Sequence, residues 1–306
     1  MNVLIVGLGS IARKHISALR SLEMYDVSLY ALRSSQDAGV LEGVYNIYSV
    51  DYLAKYSFDF AIISTPTSHH YKAILQLLPY NIPLFIEKPV FESLNYNELV
   101  QQVGLSNIKS YVACNLRFID CLKFTQRYLK DHRVNEVNIY CGSYLPEWRP
   151  SQDYRKNYSA NRSMGGGVHI DLIHEIDYVS WLFGQPNGVR RTVNSRSSLQ
   201  IDAIDYANYL FEYDQFCVNI ILNYFRRDSR RTLEVVCSDG TLFVDILENQ
   251  CYWNNEMMFA SHQRINDTYR AQMAYFIDEV LNQQSNNSMN TIIEGYNTLK
   301  LCLTES

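Results

Sequence analysis

An apolar run at the start of the chain leads directly into a glycine-rich turn. Val3-Leu4-Ile5-Val6 is typical of a buried strand, and the residues after it follow the spacing Gly7-x-Gly9-x-x-Ala12. Gly7 permits a tight turn, Gly9 lets a pyrophosphate approach the backbone, and Ala12 lets the next helix lie close to the strand. The N–H groups at the start of such a helix bind phosphate. The spacing therefore predicts a dinucleotide site formed by Gly7, Gly9, Ser10, Ile11 and Ala12.

The composition of the 306 residues narrows the class of protein. Hydrophobic residues make up 47% and charged residues 19%, which is ordinary for a globular enzyme of one large or two smaller domains. The net charge of −5 does not indicate the basic surface that nucleic-acid binding requires, and no apolar run is long enough to span a bilayer. The first residues lack the basic segment of a signal peptide, and the seven cysteines include no Cys-x-x-Cys pair. We therefore expect a cytoplasmic protein with no membrane or nucleic-acid partner, no disulfide framework and no metal site.

Two patterns of predicted secondary structure divide the chain near residue 118. Before it, strand-like and helix-like segments alternate, which predicts a parallel sheet with helices on both faces. After it, β-like segments follow one another with only turns between them, such as Ser238-Asp239-Gly240, which predicts a mostly antiparallel sheet. The predicted fold class is an α/β Rossmann domain at residues 1–118 and an α+β domain with an open sheet at residues 119–306. Helices predicted at residues 268–281 and 291–302 end the chain, and whether they pack back on the first domain stays open.

The end of the second predicted strand bears on the choice of dinucleotide. NAD-specific domains carry Asp or Glu there, where the carboxylate accepts a hydrogen bond from the ribose 2′-hydroxyl. This chain instead has Leu32-Arg33-Ser34-Ser35. Arg33 and Ser34 are suited to a 2′-phosphate, which favours NADP(H), although an arginine that only stacks on adenine would accept either cofactor.

Three further motifs follow the Gly7-x-Gly9-x-x-Ala12 fingerprint in order along the chain. Thr65-Pro66-Thr67-Ser68-His69-His70 and Glu87-Lys88-Pro89 each follow a predicted strand, and the third motif runs from Gly165-Gly166-Gly167 through Asp171 to His174-Glu175. Together the four motifs resemble the glucose–fructose oxidoreductase, inositol dehydrogenase and rhizopine-catabolism (Gfo/Idh/MocA) family over essentially the whole chain. The segment from Tyr144 to Pro150 is similar to a subgroup found in surface-polysaccharide clusters. The resemblance implies an NAD(P)-dependent oxidoreductase that transfers a hydride at a carbinol carbon of a sugar, cyclitol or nucleotide-sugar. It also implies a homo-oligomer, a dimer or tetramer, formed through the C-terminal sheet.

The resemblance further implies roles for single residues. Lys88 corresponds to the catalytic or orienting lysine near the nicotinamide ribose, and His174 to an acid/base histidine beside the substrate-binding carboxylate Asp171. Many relatives place this histidine four residues after the aspartate, but here Glu175 holds that position. His174 and Glu175 therefore both stay candidates for the proton carrier. The remaining residues assigned to the cofactor are Ser64, Thr65, Pro66, His70 and Glu87.

The residues after the triple glycine also suggest a pocket on physical grounds. In a helix that starts at Asp171, the side chains of Asp171, His174 and Tyr178 share one side, where they can handle a proton near neutral pH. Upstream, Arg149 and Arg155 are suited to phosphates, and Tyr154 and Tyr158 to stacking on a sugar or base. Two other functions stay open: an NAD-dependent glycosidase that works by oxidation, elimination and re-reduction, and a dinucleotide sensor without catalysis.

Overall fold

The computed structural model describes residues 1–35, 39–282 and 289–304. The chain divides into two compact units. One unit comprises Met1–Asn115 with Asn266–Leu299, and the other comprises Leu116–Ile265 with Lys300–Ser306. None of the helices in these described stretches combines the length and the apolar character that crossing a bilayer requires.

The first unit is built on a six-stranded, all-parallel sheet. Its strands are β1 (Asn2–Val6), β2 (Ser28–Leu32), β3 (Val44–Ile47), β4 (Phe60–Ile63), β5 (Leu84–Ile86) and β6 (Ser110–Val112), in the order β3-β2-β1-β4-β5-β6. The helices α1 (Ser10–Arg20), α2 (His70–Leu77) and α3 (Asn97–Leu105) connect them. The central strands are wholly buried, because both faces of such a sheet are covered. The predicted Rossmann domain is confirmed, but strand β3 was not predicted, because Val44-Tyr45-Asn46-Ile47 is short and half exposed at the sheet edge.

The second unit contains an eight-stranded sheet. Its strands are β7 (Val134–Tyr144), β8 (Gly188–Asn194), β9 (Tyr206–Glu212), β10 (Cys217–Asn223), β11 (Phe225–Cys237), β12 (Thr241–Asp245), β13 (Gln250–Trp253) and β14 (Glu256–Ala260). Their order is β14-β13-β12-β11-β7-β10-β9-β8, and only β7 and β10 pair in parallel. The mostly antiparallel sheet is therefore confirmed. Alternate residues of β9 are buried and half exposed, so this strand has one covered and one open face.

The remaining helices have different neighbours. The helices α4 (Asp120–Tyr128), α5 (Val168–Asp171) and α6 (His174–Phe183) belong to the second unit. The helix α7 (Ile265–Tyr275), which a π-helical turn continues over Phe276–Leu281, and most of α8 (Ile292–Leu303) belong to the first unit. Within that unit Asn290 donates to the Val112 carbonyl at 2.7 Å, and the Tyr296 hydroxyl donates to Leu94 at 2.7 Å.

Candidate functional site

The first glycine of the fingerprint is required by close packing within the protein. Gly7 has φ +92°, and a Cβ at this position would lie 2.5 Å from the backbone nitrogen of Thr65. The Ser64 hydroxyl donates to the Gly7 carbonyl at 2.7 Å and fixes this approach. Ser64 is therefore a support of the turn.

The second glycine faces open space. A Cβ on Gly9 would meet no protein atom within 4 Å, and Gly9 precedes helix α1 without giving it a side-chain cap. The first turn of α1 carries no acidic residue, and Gly9 and Ser10 are exposed, whereas Ala12 is fully buried. An uncapped helix N-terminus beside an open glycine fits a phosphate group, since unsatisfied N–H groups and the helix dipole both favour an anion. The residues present therefore fit a dinucleotide.

Arg33 and Ser34 follow the carboxyl end of β2, as predicted. The Arg33 N–H donates to the Ile47 carbonyl at 2.8 Å, and its side chain is half-buried. The Nη1 atom of Arg33 is buried and makes no hydrogen bond to the protein. Ser34 is exposed beside it. A buried guanidinium nitrogen without a partner is costly, so this donor is suited to an anionic or polar group of a ligand.

The loop after β4 is held by His70. This side chain is buried, its Nε2 lies 3.0 Å from the Thr65 carbonyl, and its Nδ1 lies 3.1 Å from the Val90 carbonyl. Burial lowers the pKa of His70, so the ring is neutral near pH 7 and donates to one of these two oxygens. The Thr65 hydroxyl is buried and makes no hydrogen bond to the protein, and Pro66 is exposed at the start of the next turn. His70 therefore supports the loop, while Thr65 keeps an unused polar atom.

Glu87 and Lys88 follow the carboxyl end of β5. Glu87 is buried, and its Oε1 lies 2.5 Å from Nε2 of His15, a fully buried residue of α1. Lys88 is half-buried, and the peptide bond between Lys88 and Pro89 is cis. Sequence reasoning overlooked His15, although one signal was available. His15 lies three residues after Ala12 and four before Leu19, inside the apolar stripe of the helix.

Asp171 lies between two tyrosines of the second unit. The Tyr158 hydroxyl donates to one carboxylate oxygen, and the Tyr224 hydroxyl donates to the other at 2.5 Å. Burial and then the Asp171 charge raise the pKa of both phenols, so both stay protonated donors. Tyr224 is fully buried, but Tyr158 is 40% exposed. Asp171 is thus a carboxylate fixed by two phenols, and Tyr158 is the exposed member of the cluster.

The continuous helix predicted from Asp171 onward is wrong. Helix α5 ends at Asp171, the backbone leaves helical geometry at Leu172, and α6 starts at His174. Tyr178, predicted on a pocket wall, is fully buried. Tyr178 is buried because α6 is covered on most sides, and the spacing of polar residues alone does not show which side is exposed. His174, in its first turn, is half-buried.

The acidic residues of α6 are engaged in buried ion pairs. The Oε1 and Oε2 atoms of Glu175, a side chain with no exposed surface, accept from Nε and Nη2 of Arg231 at 2.6 and 3.2 Å. Asp177 accepts two hydrogen bonds from Arg117 at 2.7 and 2.8 Å. Bidentate ion pairs of this kind fix the orientation of both side chains. Glu175 therefore has a structural partner inside the second unit.

The other predicted substrate residues lie in the loop between β7 and α5. Arg149 and Arg155 are exposed, and the Arg155 guanidinium lies 4.9 Å from the centre of the Tyr154 ring. The Tyr154 hydroxyl donates to the Leu199 carbonyl at 3.1 Å. Trp148, which sequence reasoning did not assign, is 39% exposed and packs edge-on against Tyr224 at 5.3 Å. Trp148 therefore connects this loop to the Asp171 cluster. In the described stretches, no group of three or more His, Cys, Asp or Glu side chains is arranged to hold a metal ion.

Two family models match the chain and together cover more than half of it. The oxidoreductase family with an NAD-binding Rossmann fold matches residues 1–106, and the GFO/IDH/MocA C-terminal domain matches residues 126–243. Among curated proteins, scyllo-inositol 2-dehydrogenase (NAD(+)) of Bacillus subtilis is 24% identical over 202 residues, which are 63% of this chain and 56% of that protein. The chain spans about half the length of the curated relatives it matches.

Solved structures show the same fold over almost the whole chain. UDP-N-acetylglucosamine 3-dehydrogenase of Acidithiobacillus ferrooxidans has a TM-score of 0.74 at 18% identity, covering 99% of this chain and 95% of that one. Scyllo-inositol dehydrogenase of Lactobacillus casei, with bound NAD(H) and scyllo-inositol, has a TM-score of 0.79 at 17% identity, covering 100% and 95%. With two family models matched in order, the resemblance is confirmed: the chain belongs to the Gfo/Idh/MocA family of oxidoreductases.

Proposed function

We propose that this protein is an NAD(P)-dependent oxidoreductase that acts on a carbinol carbon of a sugar, cyclitol or nucleotide-sugar. The observation that carries the proposal is the pairing of two features in the first unit. Gly9 leaves open space at an uncapped helix start, and Lys88 stands at the carboxyl end of β5. Parallel sheets bind their ligands at the carboxyl ends of the strands, so these features belong to the ligand-binding edge.

The nicotinamide, when bound, accepts or supplies the hydride. Lys88 has the role of donating a hydrogen bond to the reacting oxygen, where it stabilises negative charge as the proton leaves. Its backbone N–H is fixed by Glu87, whose Oε2 accepts it at 3.1 Å. A lysine whose backbone is held in this way is suited to this task.

His174 is the proton carrier in this proposal, and Asp171 supports it. An imidazole changes charge near neutral pH, which suits a group that takes and returns a proton. The competing residue, Glu175, has no exposed surface and both of its oxygens accept from Arg231. Asp177 is likewise paired with Arg117. The pairing of both acidic residues favours His174.

The substrate class rests on the Asp171 cluster and the loop beside it. A fixed carboxylate accepts hydrogen bonds from sugar hydroxyls, and exposed aromatic rings such as Tyr158 and Trp148 pack on sugar faces. The exposed Arg149 and Arg155 are suited to the phosphates of a nucleotide-sugar. The solved relatives named for scyllo-inositol and UDP-N-acetylglucosamine support a polyhydroxylated substrate.

We further propose a preference for NADP(H). Arg33 supplies a buried Nη1 that makes no hydrogen bond to the protein, with the exposed Ser34 hydroxyl beside it. A cation and a hydroxyl at the end of β2 favour a 2′-phosphate over a free hydroxyl.

We also propose a homo-oligomer formed through the C-terminal sheet. One face of this sheet carries half-exposed Leu210, Ile221 and Val236, and Phe243 is 37% exposed. Light scattering after size exclusion tests the assembly, since a monomer at all concentrations would contradict it.

Turnover measurements test the central proposal. Purified protein is titrated with all four nicotinamide dinucleotides by fluorescence, and sugars, cyclitols and nucleotide-sugars are then screened at the nicotinamide absorbance. We expect Lys88→Met and His174→Asn each to lower kcat by about 10²–10⁴-fold while dinucleotide affinity persists. Wild-type turnover in either variant would contradict that residue's role. Substrate cleavage without a net absorbance change would indicate the glycosidase reaction, and dinucleotide binding with no turnover would indicate a sensor.

A further inference from the structure

His15 is a buried ionisable residue that the proposed reaction does not use. It lies in the second turn of α1 and has no exposed surface. The Phe85 ring meets it edge-on at 4.9 Å and the Tyr269 ring at 5.7 Å. Its Nδ1 is buried and makes no hydrogen bond to the protein, so its contact with Glu87 is its one polar contact among the described residues. Burying a polar ring among apolar side chains costs free energy, and the hydrogen bond to Glu87 has to offset that cost.

The contact continues to the proposed catalytic lysine. Nε2 of His15 lies 2.5 Å from Oε1 of Glu87, and Oε2 of the same carboxylate accepts the Lys88 N–H at 3.1 Å. Two hydrogen bonds therefore connect α1, whose first turn fits the pyrophosphate, to the backbone of Lys88. A carboxylate that is hydrogen-bonded at both oxygens has little freedom to rotate, so Glu87 fixes the position of the Lys88 peptide.

The charge on Glu87 depends on its surroundings. The titratable groups that face it are His15 from α1, His70 from α2, Tyr269 from α7 and its neighbour Lys88. Burial acts to raise the pKa of Glu87, but the hydrogen bond and electrostatic effect of His15, aided by Lys88 and His70, outweigh it and lower the pKa. His15 is therefore the main group that lowers the pKa of Glu87 and favours its charged form.

We infer that His15 is a positioning residue for Lys88, acting through Glu87, and that it ties the placement of the lysine to the dinucleotide-binding helix. This inference rests on the proposed role of Lys88. Loss of the His15 contact leaves a buried carboxylate without its main partner, which raises the pKa of Glu87 and loosens the Lys88 backbone. The chemical step is then impaired, whereas the open turn at Gly9 is unchanged.

Two variants of the intact protein separate positioning from packing. His15→Leu fills the space but cannot donate, and His15→Gln keeps a donor toward Glu87. We expect the leucine variant to lower kcat by about 10–100-fold, as displaced catalytic groups do, with KM and dinucleotide affinity changed less than about 3-fold. Its pH profile should lose activity at a higher pH on the acid side than the wild type. The glutamine variant should recover most of kcat. The matched control is His132→Leu, which removes a 2.9 Å histidine–carboxylate contact with Asp239 at the protein surface.

A readout without substrate keeps this test separate from the proposed function. Reductive ¹³C-methylation gives each lysine an NMR signal, and the signal missing from Lys88→Arg identifies Lys88. We expect the Lys88 signal to move in His15→Leu, to return in His15→Gln and to stay in the His132 control. If the signal moves as expected but no substrate is turned over, the proposed function fails while the positioning contact stands. An unmoved signal with unchanged kcat, or equal losses in both His15 variants with an unshifted pH profile, would overturn the inference.

Discussion

Replacement of Glu175 by Gln is expected to destabilise the second unit rather than remove the proton carrier. Glu175 takes the sequence position where many relatives keep a histidine, yet its side chain has no exposed surface. Both of its oxygens accept from the Arg231 guanidinium, at 2.6 and 3.2 Å. The Gln side chain keeps the shape but removes the charge, so Arg231, whose side chain is 13% exposed, becomes a buried cation without its counter-charge.

The size of this effect follows from burial. Removing one partner of a buried ion pair costs about 3–5 kcal/mol, because the remaining charge is left uncompensated in a medium of low polarity. For a domain of 150–250 residues, each kcal/mol lowers Tm by about 2–4 °C. Glu175→Gln should therefore lower the Tm of this unit by about 10 °C, while kcat measured well below the transition stays within a few-fold of the wild type.

Thermal unfolding and turnover of the same preparations provide the assay. Arg190→Gln is the matched control, because it breaks a 2.9 Å pair with Glu212 whose side chains are 74% and 38% exposed. Pairs of that kind contribute less than about 1 kcal/mol, so its Tm should stay near that of the wild type. A double variant with leucine at both Glu175 and Arg231 should be more stable than Glu175→Gln alone, since it leaves no unpaired charge. An unchanged Tm together with abolished turnover in Glu175→Gln would refute this reasoning and make Glu175 the proton carrier.

Three further predictions concern the turn, the cofactor and acid stability. Gly9→Val should fold normally but lose dinucleotide affinity, because its side chain enters the open space proposed for the pyrophosphate. Gly7→Ala should instead be destabilised by its 2.5 Å clash. Equal fluorescence titrations for wild type and Gly9→Val would contradict the site. Arg33→Asp should weaken NADP(H) by repulsion and favour NAD(H), and a wild type that binds NAD(H) more tightly would contradict the preference. Burial, then Arg191 and Arg162, lower the pKa of His169 to about 4. The unfolded chain therefore binds this proton first, and stability present above pH 6.5 is lost as the pH falls toward 4, by on the order of 3 kcal/mol. In urea titrations His169→Gln should show a smaller loss over this range; an equal loss would exclude His169 as its source.

Local signals in the sequence determined the fold class and the motifs from which the candidate site is predicted. The run Val3–Val6 and the glycines after it specify strand, turn and helix within a dozen residues, so neighbours along the chain suffice to predict them. The strand predicted before Glu87-Lys88-Pro89 is present as Leu84–Ile86, because a short apolar run before a charged motif leaves little choice of ends. Hairpin turns such as Ser238-Asp239-Gly240 likewise carry their geometry in their own residues.

Tertiary structure decided which polar side chains are buried and with whom they pair. His15 and Glu87 are 72 residues apart, Glu175 and Arg231 are 56 apart, and Asp171 and Tyr224 are 53 apart. Helical spacing grouped Asp171, His174 and Tyr178 on one side, but α6 lies within the second unit and buries Tyr178 together with Glu175. A periodic pattern reports how residues alternate around one element, and it carries no information about the partner that the rest of the chain supplies. Because a buried polar or charged group is stable only beside a partner, the partners of Glu175 and His15 depend on contacts between distant segments.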